Sequence, residues 1–211
     1  AVMVRILYSI YCTRHFEEVR FRFTFDKSLF KEMFSFAGWN FIGNGVHILN
    51  TQGINVLFNL FYGVTVNAAR GVVSQVEYAI TQLVNNFTTA INPQITKSYA
   101  AGDKDYMFSL VCSGAKYSYF MMLLFAVPLI VEAEEILRMW LGIVPDYAPI
   151  FLRCSLLCSL CTVLSNTLVT AMFATGNIKR YQIVVGLVGL LVFPVTWGLF
   201  KLGMPPQTAY L

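Results

Sequence analysis

Five charge-poor runs, at roughly 36–61, 68–91, 107–131, 147–174 and 181–201, dominate this chain. A helix rising about 1.5 Å per residue needs about 20 apolar residues to cross roughly 30 Å of hydrocarbon. Every run is long enough. The connections carry turn or breaker residues: Gly63, Asn92-Pro93, Gly102-Asp103, Gly142 with Pro145, Gly176-Asn177 and Gly203. Residues 1–11, AVMVRILYSIY, read as the tail of a further span, and Pro205-Pro206 as the opening of another. The pattern predicts an all-α integral membrane protein. Its architecture is a polytopic helical bundle of about five complete transmembrane helices, with partial helices at both ends. The whole of 1–211 reads as one membrane domain, with no soluble domain and no low-complexity segment. The chain starts at Ala1 inside an apolar stretch and shows no signal peptide. The expectation is a piece of a longer protein.

Composition agrees with a lipid-facing exterior. The chain is 57% hydrophobic and 12% charged, with mean hydropathy +0.62. An average soluble domain carries about 25% charged residues, so there is too little polar material here to coat a soluble surface. The net charge is only +4. No basic stripe interleaves with aromatics, which argues against nucleic acid as a partner.

The placement of Lys and Arg predicts orientation, because cytoplasmic loops are enriched in both. Arg14, Arg20, Arg22, Lys27 and Lys31 precede the first full span; Lys97 and Lys104 flank Gly102-Asp103; Lys179 and Arg180 follow Gly176. These are alternate connections, so they share one side. The opposite side holds Glu132, Glu134, Glu135 and Asp146, with Arg138 among them. On this reading a helix exits at Asn92-Pro93 on the cytoplasmic face, and 92–106 is a cytoplasmic connection.

Three runs carry a polar stripe. In 36–61 it comprises Asn40, Asn44, His47, Thr51 and Asn55; in 68–91, Arg70, Ser74, Glu77, Thr81, Asn85 and Thr88, continuing to Asn92; in 147–174, Ser155, Ser159, Thr162, Asn166 and Thr170. At 100° per residue each stripe spans about 80° of arc. Lipid contact would cost several kcal/mol, so the stripes should face one another or water. Two readings follow: a hydrated cavity lined by five to seven polar groups per helix, or interhelical hydrogen bonds worth about 0.6 kcal/mol each. Helix association normally needs fewer polar positions, which favours the cavity.

Individual residues sharpen the choice. Glu77 lies roughly 10 Å, two turns, from Arg70 on the same face. It reads as a site for a proton, cation or polar substrate, or as a structural partner of Arg70 or of a neighbouring helix. Lys116 either points into the cavity or snorkels along its stem, as Arg153 should. His47 is a helix contact or a proton relay. Cys154, Cys158 and Cys161 share a face without a ligand set for zinc and read as small packing residues. No G-x-S-x-G, Walker loop or H-E-x-x-H occurs, and the single embedded carboxylate has no carboxylate partner. The reading is a non-enzyme with no cofactor.

The order of "FDKSLFKEMFSFAGWNFIGN", "NPQITKSYAAGDKD", "EILRMWLG" with "VPDYAPIFLR", and "ATGNIKRYQI" resembles the C-terminal half of polysaccharide-biosynthesis, O-antigen-type flippases. These belong to the multidrug/oligosaccharidyl-lipid/polysaccharide exporter superfamily, and the likeness runs over about 25–205. The resemblance implies one lobe of a two-lobed, twelve-helix-type transporter around a cavity open alternately to each side. It implies a lipid-linked oligosaccharide as substrate, moved across the cytoplasmic (inner) membrane, and an N-terminal half of the same protein as partner. Related antiporters share the fold, so three functions stand side by side. A flippase would use Arg70 and Lys116 for a pyrophosphate and Asn44, His47, Thr51, Asn55, Thr81, Asn85 and Asn166 as cavity-lining groups for sugars. A multidrug antiporter would couple to H+ or Na+ at Glu77, with Phe41, Phe58 and Tyr62 facing the drug. A non-transporting membrane scaffold is the third.

Overall fold

The computed structural model describes residues 2–16 and 26–210. Arg20 and Arg22 of the basic stretch lie outside the described residues. The chain divides into two compact units, Ala1–Ser35 and Phe36–Leu211. The first holds α1 (Val2–His15) and the opening turns of α2 (Lys27–Ala100). Arg14 and His15 sit in the last turn of α1, where cations favour the negative helix end. Asp26 caps α2, its Oδ1 accepting from Ser28 N at 2.8 Å.

The second unit holds the rest of α2, α3 (Lys104–Val131), α4 (Ala133–Leu141), α5 (Ala148–Ala174), α6 (Lys179–Lys201) and a 3-10 turn, Pro206–Tyr210. No strand occurs among the described residues. α2, α3, α5 and α6 are each long and apolar enough to cross a membrane. The protein is an all-α, polytopic membrane protein.

α2 is interrupted at Gly63, whose φ of 80° and ψ of 178° form a conformation open essentially only to glycine. The residues on either side, 27–62 and 64–100, are two helical segments. Tyr62 fastens the junction by donating its hydroxyl hydrogen to the Met204 carbonyl.

The expected helix exit at Asn92-Pro93 is not there. The helix passes through Pro93 and ends at Ala100. A proline removes one N–H and crowds one carbonyl, and a membrane helix tolerates that when neighbouring hydroxyls and packing compensate. Pro128 and Pro194 also sit inside helices. Termination comes at Gly102, with φ of 78°. There Gly102 N donates to Tyr99 O at 3.0 Å and Asp103 N to Ser98 O at 3.1 Å, a Schellman ending. Asp103 then caps α3 by accepting from Tyr106 N at 3.0 Å. The 92–106 connection therefore contracts to the turn at 101–103.

Aromatic packing builds one end of the core: Phe58 meets Phe151 at 5.7 Å and Phe200 at 5.5 Å, both edge to face. The first segment of α2 approaches α6 closely. A Cβ at Gly53 would lie 2.7 Å from the Phe193 ring, and one at Gly189 2.9 Å from Val46. Asn50 Nδ2 donates to Gly189 O at 2.7 Å. Small residues permit this backbone approach, the usual substitute for hydrophobic driving force in lipid. α4 is amphipathic: Ala133 and Leu137 are buried, while Glu134, Glu135 and Arg138 face outward. Arg153 Nε donates to Ile130 O at 3.0 Å, so this exposed arginine satisfies a carbonyl in the last turn of α3.

Candidate functional site: a polar groove between α2 and α5

The stripes on 64–100 of α2 and on α5 meet. Ser159 Oγ donates to Glu77 Oε1 at 2.5 Å, Asn166 Nδ2 to Asn85 Oδ1 at 3.4 Å, and Thr170 Oγ1 to Asn92 Oδ1 at 3.0 Å. The paired numbers rise together, so the segments run parallel. Their polar faces stay aligned because both stripes repeat at the helical period.

These contacts form one wall of an open groove of about 720 Å³. Of the expected site residues, His47, Glu77, Thr81, Asn85 and Asn166 line it. Thr88, Asn92, Ser159 and Thr162, read as stripe members, line it too. Gln82 and Thr89 also border it but fall roughly 40–60° outside the stripe's arc, so the sequence reading missed them. Nothing in the stripe's own spacing marks them. Thr81 Oγ1 is buried and makes no hydrogen bond within the described residues. The cavity and the interhelical bonds are one arrangement: the same amides and hydroxyls both join the helices and face the groove.

Other expected residues lie elsewhere. Asn44 and Thr51 are exposed and do not border the groove, and Thr51 Oγ1 bonds back to His47 O at 2.9 Å. The stripe on 27–62 therefore divides, with only His47 turned to the groove. Lys116 is exposed on the face of α3 opposite its packed positions Met107, Val111, Gly114 and Ser118. Three and four residues separate those packed positions, and 116 falls between, roughly half a turn away.

Asn55 belongs to a second cluster around Arg70. Arg70 Nη1 donates to Asn55 Oδ1 at 2.5 Å, and the guanidinium lies 5.2 Å from the Phe58 ring centroid. The Tyr210 hydroxyl also interacts with it; burial pushes that phenol up to about 12, while the Arg70 charge pulls it down. Among the described residues the one ion pair joins Arg138 to Glu135 at 3.9 Å. Arg70 and Glu77 are thus not an ion pair: one is held by an amide and a ring, the other by a hydroxyl on α5. Arg70 sits among neutral partners, Asn55, the Tyr210 hydroxyl and the Phe58 ring, rather than against a carboxylate.

A comparison with known families bears on this geometry. No curated protein and no solved structure matches the chain. A family model described as "Polysaccharide biosynthesis protein" matches residues 2–144, which contain all of α2, α3 and α4 and so the α2 wall of the groove. Spanning helices, a polar groove between them and this match make one conclusion: the chain belongs to the polysaccharide biosynthesis protein family.

Proposed function

We propose that the protein is a transporter that flips a lipid-linked oligosaccharide across the cytoplasmic membrane by alternating access. One observation carries the reading: a membrane-spanning helical unit carries an open groove whose polar lining is mostly amide and hydroxyl. Sugars present hydroxyls that both donate and accept, and Asn and Thr side chains match that pattern without fixed charge. The volume falls within the range of about 300–1,000 Å³ typical of small-molecule sites. Arg70, beside the groove rather than in it, supplies the cation that a phosphate or pyrophosphate linkage requires. The chemistry is binding and movement rather than bond making. A coupling cation, H+ or Na+, fits at Glu77, the acidic residue in the lining.

A second reading, a cation-coupled multidrug antiporter, is favoured by that same carboxylate, held by Ser159 and facing a groove that also contains His47. One experiment separates the two. Arg70→Gln, Glu77→Gln and the double substitution are made in the full-length protein, in cells lacking the native copy. Surface polysaccharide and protein abundance are measured together. The flippase reading expects normal abundance, lost polysaccharide in Arg70→Gln, and no recovery in the double mutant. Polysaccharide left intact by Arg70→Gln, with drug tolerance lost in Glu77→Gln, would transfer the assignment to the antiporter.

A further inference from the structure

Arg70 lies outside the groove, and the route between them is short. Ser74, one turn along the same stripe, is exposed, and the groove begins a further turn on, at Glu77 and Ser159. To meet the contents of the groove, the guanidinium has to turn along the helix toward Ser74. Two side chains hold it back, and only one of them belongs to α2.

The 3-10 turn Pro206–Tyr210 brings Tyr210 into the Arg70 cluster. The Tyr210 ring packs on Phe151 at 5.5 Å, and Phe151 packs on Phe58, the ring beside the guanidinium. Its hydroxyl is hydrogen-bonded by Arg70. Its carbonyl accepts from Cys158 Sγ at 3.1 Å, and the Met204 carbonyl, just before the turn, accepts from Tyr62. The turn is thus fastened to α5 and to the end of the first α2 segment. Asn55 holds Arg70 across the break at Gly63; Tyr210 holds it from beyond α6.

Both partners are neutral. Burial pushes the Tyr210 phenol up to about 12, so it carries no charge at neutral pH. An arginine brings five N–H donors, and an amide and a hydroxyl satisfy some of them without cancelling the charge. A carboxylate in the same place would be hard to displace, because separating a buried ion pair costs several kcal/mol. A neutral hydroxyl yields more readily: hydrogen bonds to ionised oxygens are roughly twice as strong as those to neutral ones. The arrangement suits an arginine that is steadied by its neighbours and gives way to an anion.

We propose that Tyr210 is a displaceable cap on Arg70, holding the guanidinium away from the groove until a phosphate or pyrophosphate group takes its place. The cap rests on the reading of Arg70 as the partner of such a group. It lowers the apparent affinity by the fraction of molecules in which Arg70 is uncapped, so weakening the cap should tighten binding.

The test is calorimetric titration of the full-length protein in detergent with two probes, inorganic pyrophosphate and farnesyl pyrophosphate. Tyr210→Phe keeps the ring on Phe151 and deletes the hydroxyl. It should bind about fivefold tighter than the unaltered protein, the effect of losing one competing hydrogen bond. Arg70→Gln should bind neither probe. A damaged fold weakens binding, so tightening marks a cap and not a structural prop. A gain on both probes marks recognition of the phosphate itself; a gain on farnesyl pyrophosphate alone marks a lipid-borne phosphate. If Tyr210→Phe does not fold, hydrogen–deuterium exchange of the unaltered protein decides. Pyrophosphate should speed exchange over 206–210 as the cap lifts, and should leave Arg70→Gln unchanged. Binding that needs Arg70 but is equal or weaker in Tyr210→Phe overturns the cap and leaves the phosphate reading standing. Exchange over 206–210 that the probe slows or leaves alone does the same. Binding that survives Arg70→Gln, or is absent from both the unaltered protein and Tyr210→Phe, removes the phosphate reading and the cap with it.

Discussion

Along 43–53, α2 approaches α6 through glycines, with Gly53 under Phe193 and Gly189 against Val46. Along 64–100 it meets α5 through a carboxylate, amides and hydroxyls. The first contact is close because nothing projects between the backbones. In the second, side chains reach across, and the space beside them stays open as the groove. Both solve the same problem, since lipid offers helices no hydrophobic reason to associate. Dispersion across a tight contact yields rigidity; hydrogen bonds across a wider one yield a lined space that a polar substrate can enter.

The contrast can be broken most sharply by access. Cysteines replacing Asn85 and Asn166 in the full-length protein should react far faster with small water-soluble thiol reagents than cysteines at Leu57 and Ile80. The latter two are buried at 3% and 6% exposure. Equal rates would mean that the α2–α5 boundary is as dry as the buried core. Asn44 and Thr51 are exposed but off the groove, so substrate should protect Asn85 and Asn166 from labelling and leave those two unprotected.

Stability comes next. Gly53→Leu forces a branched side chain into the Phe193 ring and should cost about 3 kcal/mol, the upper range for overpacking. Thermal unfolding in detergent would show it; a loss within error would mean that α6 simply moves aside. Ser159→Ala removes a hydrogen bond to a carboxylate and should cost about 2 kcal/mol. The smallest effect belongs to Asn166→Ala, about 0.6 kcal/mol, because its 3.4 Å contact with Asn85 is long. If Asn166→Ala proved as damaging as Gly53→Leu, the polar boundary would be a structural seam and the groove incidental to it. If it abolished polysaccharide at near-normal stability, the groove residues would be acting on the substrate.

Much of the groove was legible in the sequence. Glu77, Thr81 and Asn85 could be placed on one face of α2, and Asn166 on the polar face of α5, because a straight helix repeats every 3.6 residues, so spacing alone fixes a face. The end of α2 was not legible at Asn92-Pro93. A proline is a strong stop signal in water, where the freed backbone group has no compensation, and a weaker one in a membrane bundle. The true stop, Gly102 followed by Asp103, carries a turn signal in the sequence, but that signal does not by itself say that the helix runs on as far as Ala100. Lys116 stays open between cavity and snorkelling in the sequence for a different reason. Its depth along α3 is countable from the sequence, but its direction depends on which face packs, and α3 has few polar residues to reveal that.

By itself the sequence determined that this chain spans a membrane with helices and that three of its runs carry long polar faces. Composition and period are local properties, and a bilayer enforces them strictly because it cannot satisfy exposed polar groups. Only the tertiary structure decided which faces meet. It set Glu77 against Ser159, gave Arg70 to Asn55 and Phe58, and turned Asn44, Thr51 and Lys116 away from the groove. Those choices depend on rotation and register between helices. The break at Gly63 and the glycine contacts between α2 and α6 belong to that arrangement, and no stripe read along a single helix contains them.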